Sequence, residues 1–457
     1  MAKKRLRILD LIIYISLFLF FAFQNIKALV NSGDYDIFVV FTFDIVGLLS
    51  FINITIKTEK FNIYSIINFF VFFFFYYCGL NQYLSNWVAW RSYFGEVAFK
   101  SDNYVLVNII IILFLLIIDC SYFIKRKPNK ENKEKNRTTL ADRIELTDTV
   151  IAILTIINIF VMLFFVKTYG IKGLLSRYDS HPSVSNQYTR QIVDVFLRFT
   201  PCTICLFLIF NGNVITFKKY SLYYIVNFLI LILVIFPLGG TARYMIAAAY
   251  LSLGYILIRK LNFKSFIVLL LLFGLVVIFP NLNYFRSHSI TELKDFRFQT
   301  LNVNYGDFDA YSMLLYIIKY SNTEGYCLGK NILSAFLFFV PRTLWPTKMV
   351  GTGSLVATSY NSSFTNISAP FVAECYLAFG FLGVIVISFV LGIIIKRMDD
   401  NLLSKNIVAY GFSSIIFGMI MFIMRGDMLS SFAYTFAFLL NFMLIMLFIS
   451  LFMNKVK

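Results

Sequence analysis

Arginine recurs in this sequence at places where a charge needs a reason. Arg243 follows the small-residue turn Gly239-Gly-Thr-Ala, and Arg286 closes Asn283-Tyr-Phe-Arg. Arg342 lies in Pro341-Arg-Thr-Leu-Trp-Pro346 with Lys348 two residues beyond, and Arg198 and Arg425 fall within or at the ends of apolar runs. A guanidinium presents a planar fork that matches phosphate or carboxylate bidentately, and a charge at membrane depth needs a partner or a task. Together these residues read as a cationic cavity for an anionic, membrane-bound substrate. Arg91, Arg177 and Arg297, each taken alone, read as side chains that snorkel to headgroups.

Carboxylates and histidines complete the candidate chemistry. Glu374 lies within Ala373-Glu-Cys-Tyr-Leu-Ala-Phe-Gly-Phe-Leu-Gly383, and Asp307 and Asp309 precede an apolar segment. A carboxylate beside arginine either orients the guanidinium or takes a proton from an attacking hydroxyl; the residues leave both open for Glu374. Asp44, in the middle of an apolar run, is a weaker candidate. His288, close to Arg286, is a candidate base, or else a solvated loop histidine like His181. No GxxxxGK phosphate loop is present, and Gly351-Thr-Gly353 is a lone glycine pair, which excludes a nucleotide motor of that kind. No His/Cys/carboxylate set has metal-ligand spacing. Cys202 and Cys205 lie inside an apolar run and read as buried thiols.

The elements that must position these residues are membrane helices. The 457-residue chain is 59% hydrophobic and only 14% charged, against roughly 25% charged in an average soluble chain. Runs of spanning length lie near 8–30, 36–56, 61–82, 104–124, 148–168, 190–210, 220–237, 241–258, 264–282, 370–395, 405–424 and 428–452, which predicts an all-α polytopic membrane protein with about twelve spans. The first run follows a basic start but lacks a cleavage site, so it reads as an uncleaved span. The net charge of +17 sits in short loops between spans rather than on one basic face, so it does not point to nucleic acid.

With the N-terminus in the cytoplasm, Lys57 and Lys60, the run from Lys125 to Arg137, Lys218-Lys219, Arg259-Lys260, Lys396-Arg397, and Lys455 and Lys457 all fall on one side. The positive-inside rule makes that side cytoplasmic, with both termini inside. Residues 125–147 read as a polar cytoplasmic linker within an N-terminal nine-span region, 1–282. Residues 283–369 then form one large outer loop between the ninth and tenth spans, and 370–457 a C-terminal three-span region. Inside the loop, Phe308–Tyr320 has helical apolar spacing and is expected to lie on the membrane surface. Ile332–Val340 is too short to span and is expected to be interfacial or re-entrant, ended by Pro341 and Pro346. The Gly/Ser/Thr/Asn-rich stretch 351–368 is expected to be a flexible loop.

In order along the chain, Gly240-Thr-Ala-Arg243, Asn283-Tyr-Phe-Arg286, Gly306-Asp-Phe-Asp309, Val340-Pro-Arg-Thr-Leu-Trp-Pro-Thr-Lys348, Glu374 and Phe379-Gly-x-x-Gly383 resemble the oligosaccharide repeat unit polymerases, the Wzy-type O-antigen and capsule polymerases. The resemblance covers roughly residues 240–395. It implies a membrane glycosyltransferase of C-type architecture, related to O-antigen ligases, in the bacterial cytoplasmic membrane. Such an enzyme joins undecaprenyl-diphosphate-linked oligosaccharides, as donor and acceptor, on the outer face, alongside a flippase and a chain-length regulator. On that model Arg243, Arg286, Arg342 and Lys348, with Arg198 and Arg425, hold the diphosphate. Glu374, Asp309 or His288 assists the acceptor hydroxyl, and no cofactor or metal is required. Two alternatives stay open: a ligase, since ligases use a loop histidine as base and His288 could serve, and a lipid-linked oligosaccharide flippase or other transporter. A flippase should show two related halves, whereas here the polar residues gather at one end.

Overall fold

The computed structural model describes residues 2–31, 35–124, 147–179, 194–211, 221–237, 239–258, 261, 263–289, 291, 296–402 and 406–453. The linker 125–146, His181, Arg190, Lys218-Lys219, Arg259-Lys260, Lys455 and Lys457 lie outside the described residues. The described residues form helices, turns and loops, without strands.

The helices are α1 (Ala2–Asn31), α2 (Ile37–Thr55), α3 (Ile63–Leu84), α4 (Ser101–Phe123), α5 (Asp148–Leu175), α6 (Thr200–Asn211), α7 (Ser221–Val234) and α8 (Arg243–Ile258). They continue with α9 (Lys264–Asn281), α10 (Ala310–Glu324), α11 (Lys330–Phe336) and α12 (Thr352–Ser359). The last three are α13 (Phe371–Asn401), α14 (Ile407–Arg425) and α15 (Met428–Met453). Among the described residues, 9 helices are long and apolar enough to cross a membrane. The expected spans at 190–210, 220–237 and 241–258 hold the shorter helices α6, α7 and α8.

The bundle is organised around α3, whose aromatic run Phe69–Phe75 is buried throughout. A helix apolar on every face belongs in the interior. Outside it α13 packs along α4, α8 along α14, α4 along α2, and α5 along α7. Cys202 and Cys205 are fully buried thiols, as expected.

Polar bonds define the two ends. At one, Asp399 accepts from the backbone N–H groups of Ile63 and Tyr64 and from the Tyr122 hydroxyl, and Asp119 is paired with Lys57 and accepts from Tyr64 and Asn53. Lys264 donates to Thr58 there. At the other end lie Arg243, Arg425, Glu374 and the long connection between α9 and α13.

Two expectations for that connection need correcting. The helix expected on the membrane surface forms as α10, but every residue from Ala310 to Ile318 is buried. Its apolar residues surround the axis instead of forming one stripe, so it inserts among α3, α4, α12 and α13. The stretch expected to be flexible contains α12, with Val356 and Ala357 buried. Tertiary contacts supply what its local propensity lacks. The short element α11 packs on α15, with Phe336 against Phe432 and Phe338 against Phe436, while Leu333, Phe336 and Phe339 stay exposed.

Candidate functional site

At the loop end, the close approach of two turns assembles a cationic group. An ideal Cβ on Gly240 would lie 1.5 Å from the Leu174 carbonyl oxygen, so only glycine lets this turn meet the end of α5. The Arg177 N–H donates to Gly239 O at 3.1 Å, and Ser176 Oγ donates to His288 O at 3.0 Å. Those contacts gather Arg177 after α5, Arg243 at the start of α8 and Arg286 after α9. Part of the Arg177 side chain reaches solvent, yet burial first, then Arg286 and then Arg243 lower its pKa. Among the described residues neither Arg177 nor Arg286 has an ion-pair partner.

Arg243 is held differently. Its Nη2 donates to Asp307 Oδ1 at 2.6 Å and its Nη1 to Asp307 Oδ2 at 2.9 Å, a bidentate pair. Phe279 lies under the guanidinium at 4.0 Å, and Asn283 Nδ2 adds a third donor to Asp307 at 2.8 Å. Burial alone would raise the Asp307 pKa, but Arg243, Arg425 and Asn283 hold it below the ordinary carboxylate range.

Asp309, two residues on, has a different set of partners. Its side chain is 1% exposed. It accepts from Arg425 Nη2 at 2.9 Å, from Trp90 Nε1 at 2.9 Å and from Ser368 Oγ at 2.9 and 3.0 Å. Burial raises its pKa despite these donors. Arg425 thus pins the start of α10 instead of presenting a free fork.

Glu374 is buried at the first turn of α13. Its Oε2 accepts from Asn331 Nδ2 at 2.8 Å and Thr352 Oγ1 at 2.6 Å, and its Oε1 from the Met428 N–H at 3.1 Å. Asp427 stands close by: its Oδ2 accepts from the Gly353 N–H at 3.2 Å and its Oδ1 from the Leu429 N–H at 3.0 Å, and burial raises its pKa. The tight turn Arg425-Gly426-Asp427 therefore ties down 306–309 on one side and 351–353 on the other. α13 itself bends at Gly380, whose φ of 62° suits glycine, and Tyr326 packs where a side chain there would stand.

The other candidates are engaged elsewhere. Arg342 donates to the backbone carbonyls of Lys348 at 2.6 Å and Met349 at 3.1 Å. Lys348 is buried and donates to the carbonyls of Phe338 at 2.6 Å and Val340 at 2.9 Å. These two cations brace their own loop. Arg198 is buried, paired with Asp194 at 2.7 Å and flanked by Phe165 and Tyr169. His288 stacks on Tyr284 with ring centroids 4.3 Å apart, and its Nδ1 lies 3.2 Å from Tyr284 O. Asp44 lies on an exposed face of α2 beside Tyr76.

Of the expected site residues, the structure thus gathers Arg243 and Arg286 around Arg177, and Arg243, Arg425 and Asp309 around Asp307. Arg177 and Asp427 are the residues sequence reasoning missed. Arg177 has a signal, a cation immediately after an apolar helix, but its neighbours are distant in sequence.

The arrangement offers two guanidinium groups without an ion-pair partner among the described residues, a third held by a carboxylate, and anchored loops around them. That suits a doubly charged anion at the end of a helical bundle. A family model described as O-antigen polysaccharide polymerase Wzy matches residues 11–457. No curated protein and no solved structure matches the chain. With nearly the whole length matched, this multi-pass inner-membrane protein belongs to the Wzy family of O-antigen polysaccharide polymerases and polymerises O-antigen repeat units.

Proposed function

We propose that the repeat units arrive on undecaprenyl diphosphate and that Arg177, Arg243 and Arg286 hold this diphosphate at the outer face of the membrane. The observation that carries the reading is the two guanidinium groups, Arg177 and Arg286, that have no ion-pair partner among the described residues and gather with Arg243. Fixed cations placed where negative charge develops are the main electrostatic aid to a departing diphosphate. Three arginines supply that charge without a metal ion. Arg342, Lys348, Arg425, Asp309 and Glu374 act at one remove, by fixing the connection that covers the glycans and holds two large substrates in line.

The same reading places the Lys57, Lys264 and Lys396 end in the cytoplasm, with both termini, and the arginine end outside. Its support is the sequence pattern in which the short basic clusters all fall on that side as the spans alternate. A flippase and a chain-length regulator would then act before and beside this enzyme.

Deleting the protein should leave single repeat units on lipid in the outer leaflet, read by mass spectrometry of extracted lipid-linked glycan. Long chains retained on the carrier would instead indicate a ligase, and units trapped in the inner leaflet a flippase.

A further inference from the structure

Of the acidic side chains at this end, Asp427 accepts from the Gly353 and Leu429 N–H groups and Asp179 from Ser289 Oγ, while Asp309 and Glu374 are fully engaged. Asp309 and Glu374 are each 1% exposed and accept from three different residues. A group so enclosed cannot meet a sugar hydroxyl without unfolding its surroundings. Asp307 differs: its side chain is 13% exposed, and its main partner is the cation that a diphosphate would claim.

Asp307 takes the Nη1/Nη2 edge of the Arg243 guanidinium, so a diphosphate that grips that edge must displace it. A diphosphate carries more charge than a carboxylate and is drawn to the same place by Arg177 and Arg286, which have no ion-pair partner among the described residues. It is therefore the stronger competitor for Arg243. We propose that Asp307 is the general base of polymerisation, kept idle by Arg243 until the donor's diphosphate takes that guanidinium. This rests on the diphosphate-site reading above. In the step, the acceptor hydroxyl oxygen bonds to the donor's anomeric carbon and its proton passes to Asp307. The bond from that carbon to the diphosphate oxygen breaks, and its electron pair leaves on the lipid diphosphate.

The charged groups facing Asp307 are Arg243 on α8, Arg425 at the end of α14 and Asp309 on its own segment, with neutral Asn283 as a further donor. Without donor, Arg243 keeps Asp307 a weak base. Once Arg243 is taken, burial and Asp309 raise its proton affinity, while Arg425 and Asn283 moderate the rise. The acid limb of kcat, which reports the loaded enzyme, should then lie at higher pH than the acid limb of kcat/KM, which reports the free enzyme.

The test uses the full chain purified in detergent, with lipid-linked repeat unit for turnover and undecaprenyl diphosphate as the binding probe. Asp307→Asn should bind the probe at least as tightly as the native protein, because Arg243 has lost its competitor, while turnover falls roughly 10²- to 10⁴-fold. Asp307→Glu should retain turnover with a displaced acid limb. Should Asp307→Asn not fold, the native protein's two pH profiles are the deciding measurement. Turnover of Asp307→Asn within about tenfold of native, or coincident acid limbs, would overturn the base assignment. Equal probe binding by the native chain and an Arg177→Gln/Arg286→Gln variant would remove the diphosphate site itself, and with it the trigger.

Discussion

Replacing Arg425 by Met removes the cation bonded to the Asp309 carboxylate and tests whether that aspartate is an anchor. Stripping one partner from a buried ion pair costs roughly 3–5 kcal/mol. Here Arg425 is 27% exposed, and Trp90 and Ser368 still donate to Asp309, so we expect about 2–3 kcal/mol. That is a roughly 30- to 150-fold fall in the folded-to-unfolded ratio. Adding Asp309→Asn should recover most of the loss, since no buried charge then lacks a partner and the new amide's carbonyl still accepts from Trp90. The assay is equilibrium unfolding of the purified protein in mixed detergent, with the native chain and both variants compared by midpoint and slope. An Arg425→Met protein that unfolds at the native midpoint would refute the anchor, and would return Asp309 to the list of candidate bases.

Three further outcomes follow from the same geometry. Arg286→Lys should cut polymer roughly 10²- to 10³-fold at unchanged membrane level, since one electrostatic contact to the leaving group is lost, whereas Arg198→Lys should lower protein level on an immunoblot. Lys348→Met should leave the Phe338 and Val340 carbonyls without their donor and increase proteolytic nicking between residues 336 and 350, scored by limited proteolysis. The lowered pKa of Asp307 implies a stabilising contribution present above the ordinary carboxylate value of about 4 and lost as pH falls through the lowered value; Arg243→Gln should flatten the acid side of a stability-versus-pH curve.

Much of this was legible in the sequence because membranes constrain it so strongly. Apolar runs marked the helices, and the small-residue turn before Arg243 marked the place where Arg177, Arg243 and Arg286 gather. What the sequence left hidden shares one cause: a side chain's surroundings depend on partners far away in the chain. Asp309 and Glu374 read as candidate bases, with an orienting role equally open for Glu374, because composition reveals a carboxylate but not the Arg425, Trp90 or Asn331 that enclose it. Arg342 and Lys348 read as phosphate ligands, yet they spend their donors on nearby carbonyls. Arg177 looked like a lone headgroup contact because Arg286 and Gly239 lie more than sixty residues away along the chain. The misplaced helix α10 had a local clue, the nearly unbroken apolar run from Ala310 to Ile318, which suits burial better than a membrane surface.

The central claim is that these arginines bind a lipid diphosphate, and the most direct measurement is binding of labelled undecaprenyl diphosphate to the purified chain and to Arg177→Gln/Arg286→Gln. Losing two charge-assisted contacts, each worth about 1.5–3 kcal/mol, should weaken binding roughly a hundredfold or more, while the variant keeps its native unfolding midpoint. Binding of equal strength in the two proteins would contradict the account.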